Sequence, residues 1–236
     1  MNPFANILDD AALNVLMALG RTSLSGRFYL AGGTALALQI GHRRSVDLDL
    51  FQLELREKLN FANVAAGLRK AFGSKNMMVD EKQADQVTLR IDGTKVTFLA
   101  YPFRLLEPLV AGEAVDPCLR GVSLAPVREI ALMKAYSLGR RTAFRDYVDL
   151  YFLLRKGLVT LDYVMTHAPG KFMMKGETLF SSRLFLEQLV FFEDVPDRKE
   201  ALHMVSESLS EAELKCFLTG KARDVVAQVG ERGNGR

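Results

Sequence analysis

Two glycines and two aspartates carry the chemistry of this sequence. In the stretch FYLAGGTALALQIGHRRSVDLDLF, residues 28–51, Gly32-Gly33-Thr34 separates an apolar run from a helix-forming one, and Asp47-x-Asp49 follows in a run that alternates. Lacking Cβ atoms, Gly32 and Gly33 let a ligand phosphate approach the backbone. A helix that starts there offers unsatisfied N–H groups and the positive end of its dipole. Thr34 can cap that helix or donate to a phosphate. Carboxylates two apart on a strand share a face, so Asp47 and Asp49 can both hold Mg2+. Mg2+ held this way bridges triphosphate oxygens and stabilises an in-line displacement.

Those residues need a strand, a helix and a second strand to position them. The sequence predicts a strand over 27–31, a helix over 35–40 and a strand over 45–51 with Val46, Leu48 and Leu50 opposite the aspartates. A helix is expected over 54–72, closed by Gly73. Strands follow over 77–79, 86–91 and 94–101, the last two joined by an Asp92-Gly93 hairpin turn. Residues 107–122, with two glycines and Pro117, read as a linker or irregular edge. From Pro126 the chain is expected to be helical: 127–138, 143–156, 160–167, 178–192 and 211–229, the last opened by a Ser210-x-x-Glu213 capping box. Residues 1–20 read as an amphipathic helix, Met173-Met174 as part of a loop, and the tail 230–236 as frayed.

Composition sets outer limits. The 236 residues are 49% hydrophobic and 25% charged, which is ordinary for a globular chain. A formal charge of +3 excludes a whole-surface basic coat but allows a local patch. Cys118 and Cys216 stand far apart, and His42, His167 and His203 are the only histidines, so a disulfide scaffold and a Cys- or His-rich metal cage are both disfavoured. With no basic-apolar leader and no apolar run of about 18 residues, a cytoplasmic protein off the membrane is expected.

Strand, Gly-Gly, helix and Asp-x-Asp strand in that order resemble the polymerase β-like nucleotidyltransferases. The blocks GGTALAL, GHRRSVDLDLF, KVTFLAYPF, REIALMKAYSLGRR and FRDYVDLYFLL, with a weaker one at FFEDVPD, resemble the AbiEii/AbiGii toxin family in particular. The resemblance implies an α+β fold with a nucleotidyltransferase core over 1–112 and a helical C-terminal region over 113–236 that closes the site. It implies an Mg2+-dependent toxin of a bacterial toxin–antitoxin or phage-defence system. Such a toxin would move a nucleotide from an NTP to an acceptor hydroxyl, with the 3′ end of tRNA foremost, and its antitoxin would be a separate protein. By the same resemblance Gly32, Gly33 and Thr34 contact the triphosphate, and Asp47 and Asp49 ligate the metal. His42, Arg43, Arg44 and Ser45 form a polar turn near the phosphates, Lys134 contacts a phosphate, and Asp146 lies near the site, flanked by Arg145 and Asp149.

One position departs from the pattern. A third carboxylate is expected within 95–99, where this chain has Thr97. A hydroxyl cannot act as the general base or replace the carboxylate charge. Asp146 could stand in; otherwise the enzyme is slow, or it has lost transfer and only binds nucleotide. A separate alternative keeps transfer but directs it to a small molecule or a protein. Plainer readings stand beside the others: Lys134 as an exposed helix lysine, and Asp146 and Asp149 as an acidic edge paired with Arg145 or Arg141. Residues 126–175 hold nine Lys/Arg against four Asp/Glu, so a basic wall suited to a triphosphate or an RNA end is expected in the helical half.

Overall fold

A computed structural model describes residues 2–73, 76–138, 140–141, 143–193 and 195–233. Gly139 and Asp194 of the quoted motifs, and residues 234–236 of the tail, lie outside the described residues. The chain divides into two compact units, Met1–Pro126 and Val127–Arg236.

The first unit contains α1 (Asp10–Gly20), β1 (Phe28–Ala31), α2 (Gly32–Ile40), β2 (Asp47–Gln52), α3 (Phe61–Phe72), β3 (Met77–Lys82), β4 (Gln86–Ile91), β5 (Thr94–Leu99), β6 (Val110–Ala111), α4 (Gly112–Val115) and β7 (Ser123–Leu124). Its strands form one mixed sheet in the order β3-β4-β5-β2-β1-β7-β6. β2 is central, antiparallel to β1 and parallel to β5. Alternation fixes its register. Leu48, Leu50, Val96, Phe98, Val87 and Leu89 are buried on one face, and α1 packs over β2 and β5 through Leu13, Leu16 and Leu19. Each such side chain contributes about 1.5–3 kcal/mol on burial. A one-residue slip would expose those leucines and drive Asp47 and Asp49 into the core, so the apolar face dictates where the carboxylates point.

Two local expectations are corrected here. α3 begins at Phe61, not near residue 54. The loop before it is pinned at both ends, with Leu53 N–H donating to Arg27 O and Leu59 N–H to Ala84 O (both 2.9 Å). Asn60 then caps the helix by accepting from Asn63 N–H. The sheet also runs past the boundary expected at 112/113, and the division between units falls after Pro126. The reason is a tight turn. A Cβ on Gly112 would lie 2.2 Å from Leu119 O and 2.7 Å from Val122 O. Only glycine lets the chain fold back so closely that β7 reaches β1, where Leu124 pairs with Leu30.

The second unit contains α5 (Val127–Leu138), α6 (Phe144–Arg155), α7 (Leu161–Lys171), the small hairpin β8 (Met173–Met174) and β9 (Glu177–Thr178), α8 (Ser182–Leu189), α9 (Arg198–His203) and α10 (Glu211–Gly233). Met173 and Met174 therefore lie in a strand, and α7 runs through Pro169 to Lys171. α6 is the inner helix, packed against α5, α9 and α10, and nearly every side chain from Phe144 to Leu154 is buried. Among the described residues no helix is long and apolar enough to cross a membrane.

Candidate active site

The first unit gathers Gly32, Gly33, Thr34, Arg43, Arg44, Ser45, Asp47 and Asp49 around one junction, where β1 hands over to α2 and β2 returns beside it. Gly32 adopts φ +66°, a left-handed conformation that a side chain resists at a cost of about 1–2 kcal/mol. A Cβ there would also sit 3.0 Å from Asp49 Oδ2. The first glycine thus brings the start of α2 against the Asp49 carboxylate. Ala31 at the N-cap supplies no side-chain cap to that helix end.

Gly33 makes room for a side chain. A Cβ on Gly33 would lie 2.0 Å from Arg43 Nη2. Arg43 is 2% exposed, and its Nη1 donates to Arg44 O at 2.8 Å. Gly33 leaves the space that this guanidinium fills, so a buried positive charge lies beneath the N-terminus of α2. Gly33→Ala is expected to lower stability by about 1–3 kcal/mol through overpacking, because Arg43 must move. Thermal melts read the effect; an unchanged melting temperature would show that Arg43 has room elsewhere.

Thr34 and Ser45 act as struts. The Thr34 hydroxyl donates to the Asp47 carbonyl, and Ser45 Oγ, 2.7 Å away, donates to Thr34 in turn. Ser45 N–H donates to Ile7 O at 2.8 Å. Thr34 is 1% exposed, so its hydroxyl ties α2 to the first residue of β2. Arg44 is exposed and His42 is buried.

Asp47 and Asp49 are half-buried on one face of β2, with Leu48 buried between them. Thr97 lies in register with Asp49 on β5, and Thr88 lies in register with Thr97 on β4, their hydroxyl oxygens 3.3 Å apart. The position expected for a third carboxylate thus holds a threonine pair. Among the described residues no group of three or more His, Cys, Asp or Glu could hold a metal ion. Two carboxylates on one strand still fit Mg2+, which usually takes one or two protein carboxylates and completes its shell with substrate phosphates and water.

Lys134, Asp146 and Asp149 lie in the second unit, and α5 and α6 bring them together. Lys134 is 3% exposed, so the reading of it as an exposed helix lysine is corrected. Its Nζ is 2.6 Å from Asp146 Oδ1 and 2.6 Å from Asp149 Oδ2. Arg141 grips Asp146 with two donors, Nε to Oδ2 at 2.8 Å and Nη2 to Oδ1 at 2.9 Å. The carboxylates at i and i+3 are both fully buried on the inner helix, where an unpaired charge would be prohibitive. Burial, the largest single influence on Asp146, pushes its carboxyl upward, but Lys134 and Arg141 outweigh it and hold the pKa below the ordinary value. A depressed carboxylate stabilises the fold above its unfolded pKa and loses that contribution as pH falls through its folded one. Melting temperature is therefore expected to drop below about pH 4. Asp146→Asn should melt lower at neutral pH and lose less on acidification; an acid limb as steep as the native one would contradict this.

The weak late block has a physical role. Asp197 Oδ1 accepts from Phe144 N–H at 2.8 Å and so satisfies the start of α6. Tyr147 donates to Gln188 O and Phe191 O, and its ring packs 5.1 Å from Phe192. FFEDVPD thus anchors the helix that bears Asp146 and Asp149. The expected basic wall is rearranged. Lys134 and Lys171 are buried, Lys171 against Glu129, and so are three of the four carboxylates of residues 126–175, leaving Asp162 as that segment's exposed acid. Burial, the largest influence, raises the Cys118 thiol to about 11, with Asp116 adding to the rise, so Cys118 is protonated at neutral pH.

Residues 14–217 match the family described as nucleotidyl transferase AbiEii toxin, type IV toxin–antitoxin system. The chain belongs to the AbiEii family. That match spans both units, from α1 to α10. An uncharacterized protein from Aquifex aeolicus is 29% identical over 188 residues, covering 78% of this chain and 81% of its own. MenT4, a nucleotidyltransferase toxin from Mycobacterium tuberculosis, superposes with a TM-score of 0.57 at 14% identity, covering 89% of this chain and 82% of that one. JHP933 from Helicobacter pylori superposes with a TM-score of 0.52 at 16% identity, covering 96% and 97%. At those identities the solved structures establish the fold: α+β with a polymerase β-like core, as the AbiEii family leads one to expect.

Proposed function

We propose that this AbiEii-family chain is an Mg2+-dependent nucleotidyltransferase that moves a nucleotide from an NTP to an acceptor hydroxyl, with the 3′ end of tRNA as acceptor. The observation that carries the proposal is the junction itself: a left-handed Gly32 sets the side-chain-uncapped start of α2 against Asp49, with Asp47 two residues away on the same face. The α2 N–H groups and the buried Arg43 attract the triphosphate. Asp47 and Asp49 hold the metal, and Thr34 and Ser45 fix Asp47 relative to α2. Mg2+, when bound, supplies charge neutralisation across the phosphates. The acceptor hydroxyl oxygen bonds to the α-phosphorus as the bond to pyrophosphate breaks, and its proton passes to solvent water, with positioning and charge stabilisation carrying most of the rate. Lys134 and Asp146 belong to the proposal as family positions. Their cluster is charge-balanced, so a phosphate gains the Lys134 ammonium only by displacing a carboxylate.

The test is incubation with α-labelled NTPs, Mg2+ and total tRNA, with small-molecule and protein acceptors in parallel. Label on tRNA is expected. Thr97 beside Asp49 favours one second reading, a nucleotide-binding protein that does not transfer. Measurable NTP binding with no label on any acceptor would establish that reading instead.

A further inference from the structure

The first unit holds a polar cleft, of about 460 Å³, that the reaction above does not use. Arg27, Arg56 and Lys58 line it, with the amides of Asn60 and Asn63 and one carboxylate, Glu54. We propose that this cleft binds the sugar-phosphate backbone of the RNA acceptor; the inference rests on the transferase reading and deepens it.

Four observations support it. The cations outnumber the acid three to one. Glu54 ion-pairs with Arg56, but a guanidinium has five donors and keeps several for a phosphate. Arg27 and Lys58 are both exposed. The loop that carries Arg56 and Lys58 is fixed before any ligand arrives, because Leu53 N–H and Leu59 N–H each donate to a carbonyl at 2.9 Å. Asn60 Oδ1 is used in accepting from Asn63 N–H, so the carboxamide offers its NH2. Lys82 adds a fourth cation at the rim, 4.2 Å from the ring centroid of Phe61, another lining residue.

Position argues for a polynucleotide over a lone phosphate. Gln52, the last residue of β2, also lines the cleft. Gln52 belongs to the face of β2 opposite Asp47 and Asp49, so an RNA that meets both passes around the end of the strand; at about 3.3 Å per residue that end lies roughly 10–17 Å along β2 from Asp49 and Asp47. That is the rise of about three to five stacked nucleotides. An RNA whose 3′ end meets the carboxylates brings several backbone phosphates within this range.

The experiment compares binding of 5′-labelled tRNA to the full chain across a salt series. Replacing Arg27, Arg56 and Lys58 together by Glu should weaken binding at least about tenfold, and the salt slope should fall by about three, one per lost phosphate contact. NTP affinity and melting temperature should not change, since all three side chains are exposed. Glu54→Gln removes the one acid and should tighten tRNA binding, a gain that no folding defect could mimic. Unchanged affinity and slope in the triple variant would overturn the proposal, as would absence of tRNA binding by the native chain. Displacement of tRNA by millimolar inorganic phosphate at constant ionic strength would also overturn it, by marking a small-anion site. Transfer to tRNA that survives the triple variant with native affinity leaves the transferase reading intact and removes this one; tRNA binding lost in the triple variant of a chain that transfers nothing does the reverse.

Discussion

Asp49→Asn is expected to lower nucleotide transfer by at least about a hundredfold while the protein keeps its fold. The side chain is half-buried on the open face of β2, and the leucines that set the register lie on the other face. Losing the charge removes half of the carboxylate pair offered to Mg2+. It also removes the anion set against the start of α2 at Gly32. Loss of a single group that stabilises developing charge costs 10²–10³ in rate in well-studied enzymes. Asp47→Asn should act in the same direction. The amide is isosteric, so circular dichroism and melting temperature should match the native chain. Residual activity near the native level would place the metal elsewhere.

Lys134→Met has the largest expected effect on stability. It removes one ammonium that lies 2.6 Å from each of two fully buried carboxylates. Arg141 still pairs with Asp146, but Asp149 loses the ammonium beside it. Breaking a buried pair from one side costs about 3–5 kcal/mol, because the remaining charge stays desolvated. For a chain of this size that is a fall of roughly 6–20 °C in melting temperature. A double variant, Lys134→Met with Asp149→Asn, should recover part of the loss, since one buried negative charge is then gone as well. A fall of only one or two degrees in the single variant would show that water or another group already compensates Asp149.

How far the sequence reveals this arrangement depends on which forces act locally. The alternation around Asp47 and Asp49 is legible because a strand with one buried face must repeat every two residues. α5 is legible from Pro126 to Leu138 because proline suits the first turn and an apolar stripe follows. The start of α3 is not: residues 54–60 carry Leu55 and Leu59 at helical spacing, but backbone bonds to Arg27 and Ala84 hold the segment as a loop. Gly33 shows the same limit. Its spacing suggests a phosphate cradle but gives no sign that the space of its missing Cβ is filled by a side chain ten residues later, a contact that only the fold creates. Lys134 is the clearest case. Nothing local marks it as buried, because its partners Asp146 and Asp149 lie on another helix. What was hard to read in each instance is a long-range pairing that overrides a local preference.

The central claim is that the junction of Gly32, Arg43, Asp47 and Asp49 serves nucleotide transfer to RNA. Mass spectrometry of purified tRNA after incubation with the protein, NTPs and Mg2+ tests it most directly. A mass increase of whole nucleotide residues is expected, confined to the 3′ end, absent without Mg2+ and absent with Asp49→Asn. Unchanged tRNA mass under conditions where the protein demonstrably binds NTP and tRNA would contradict it.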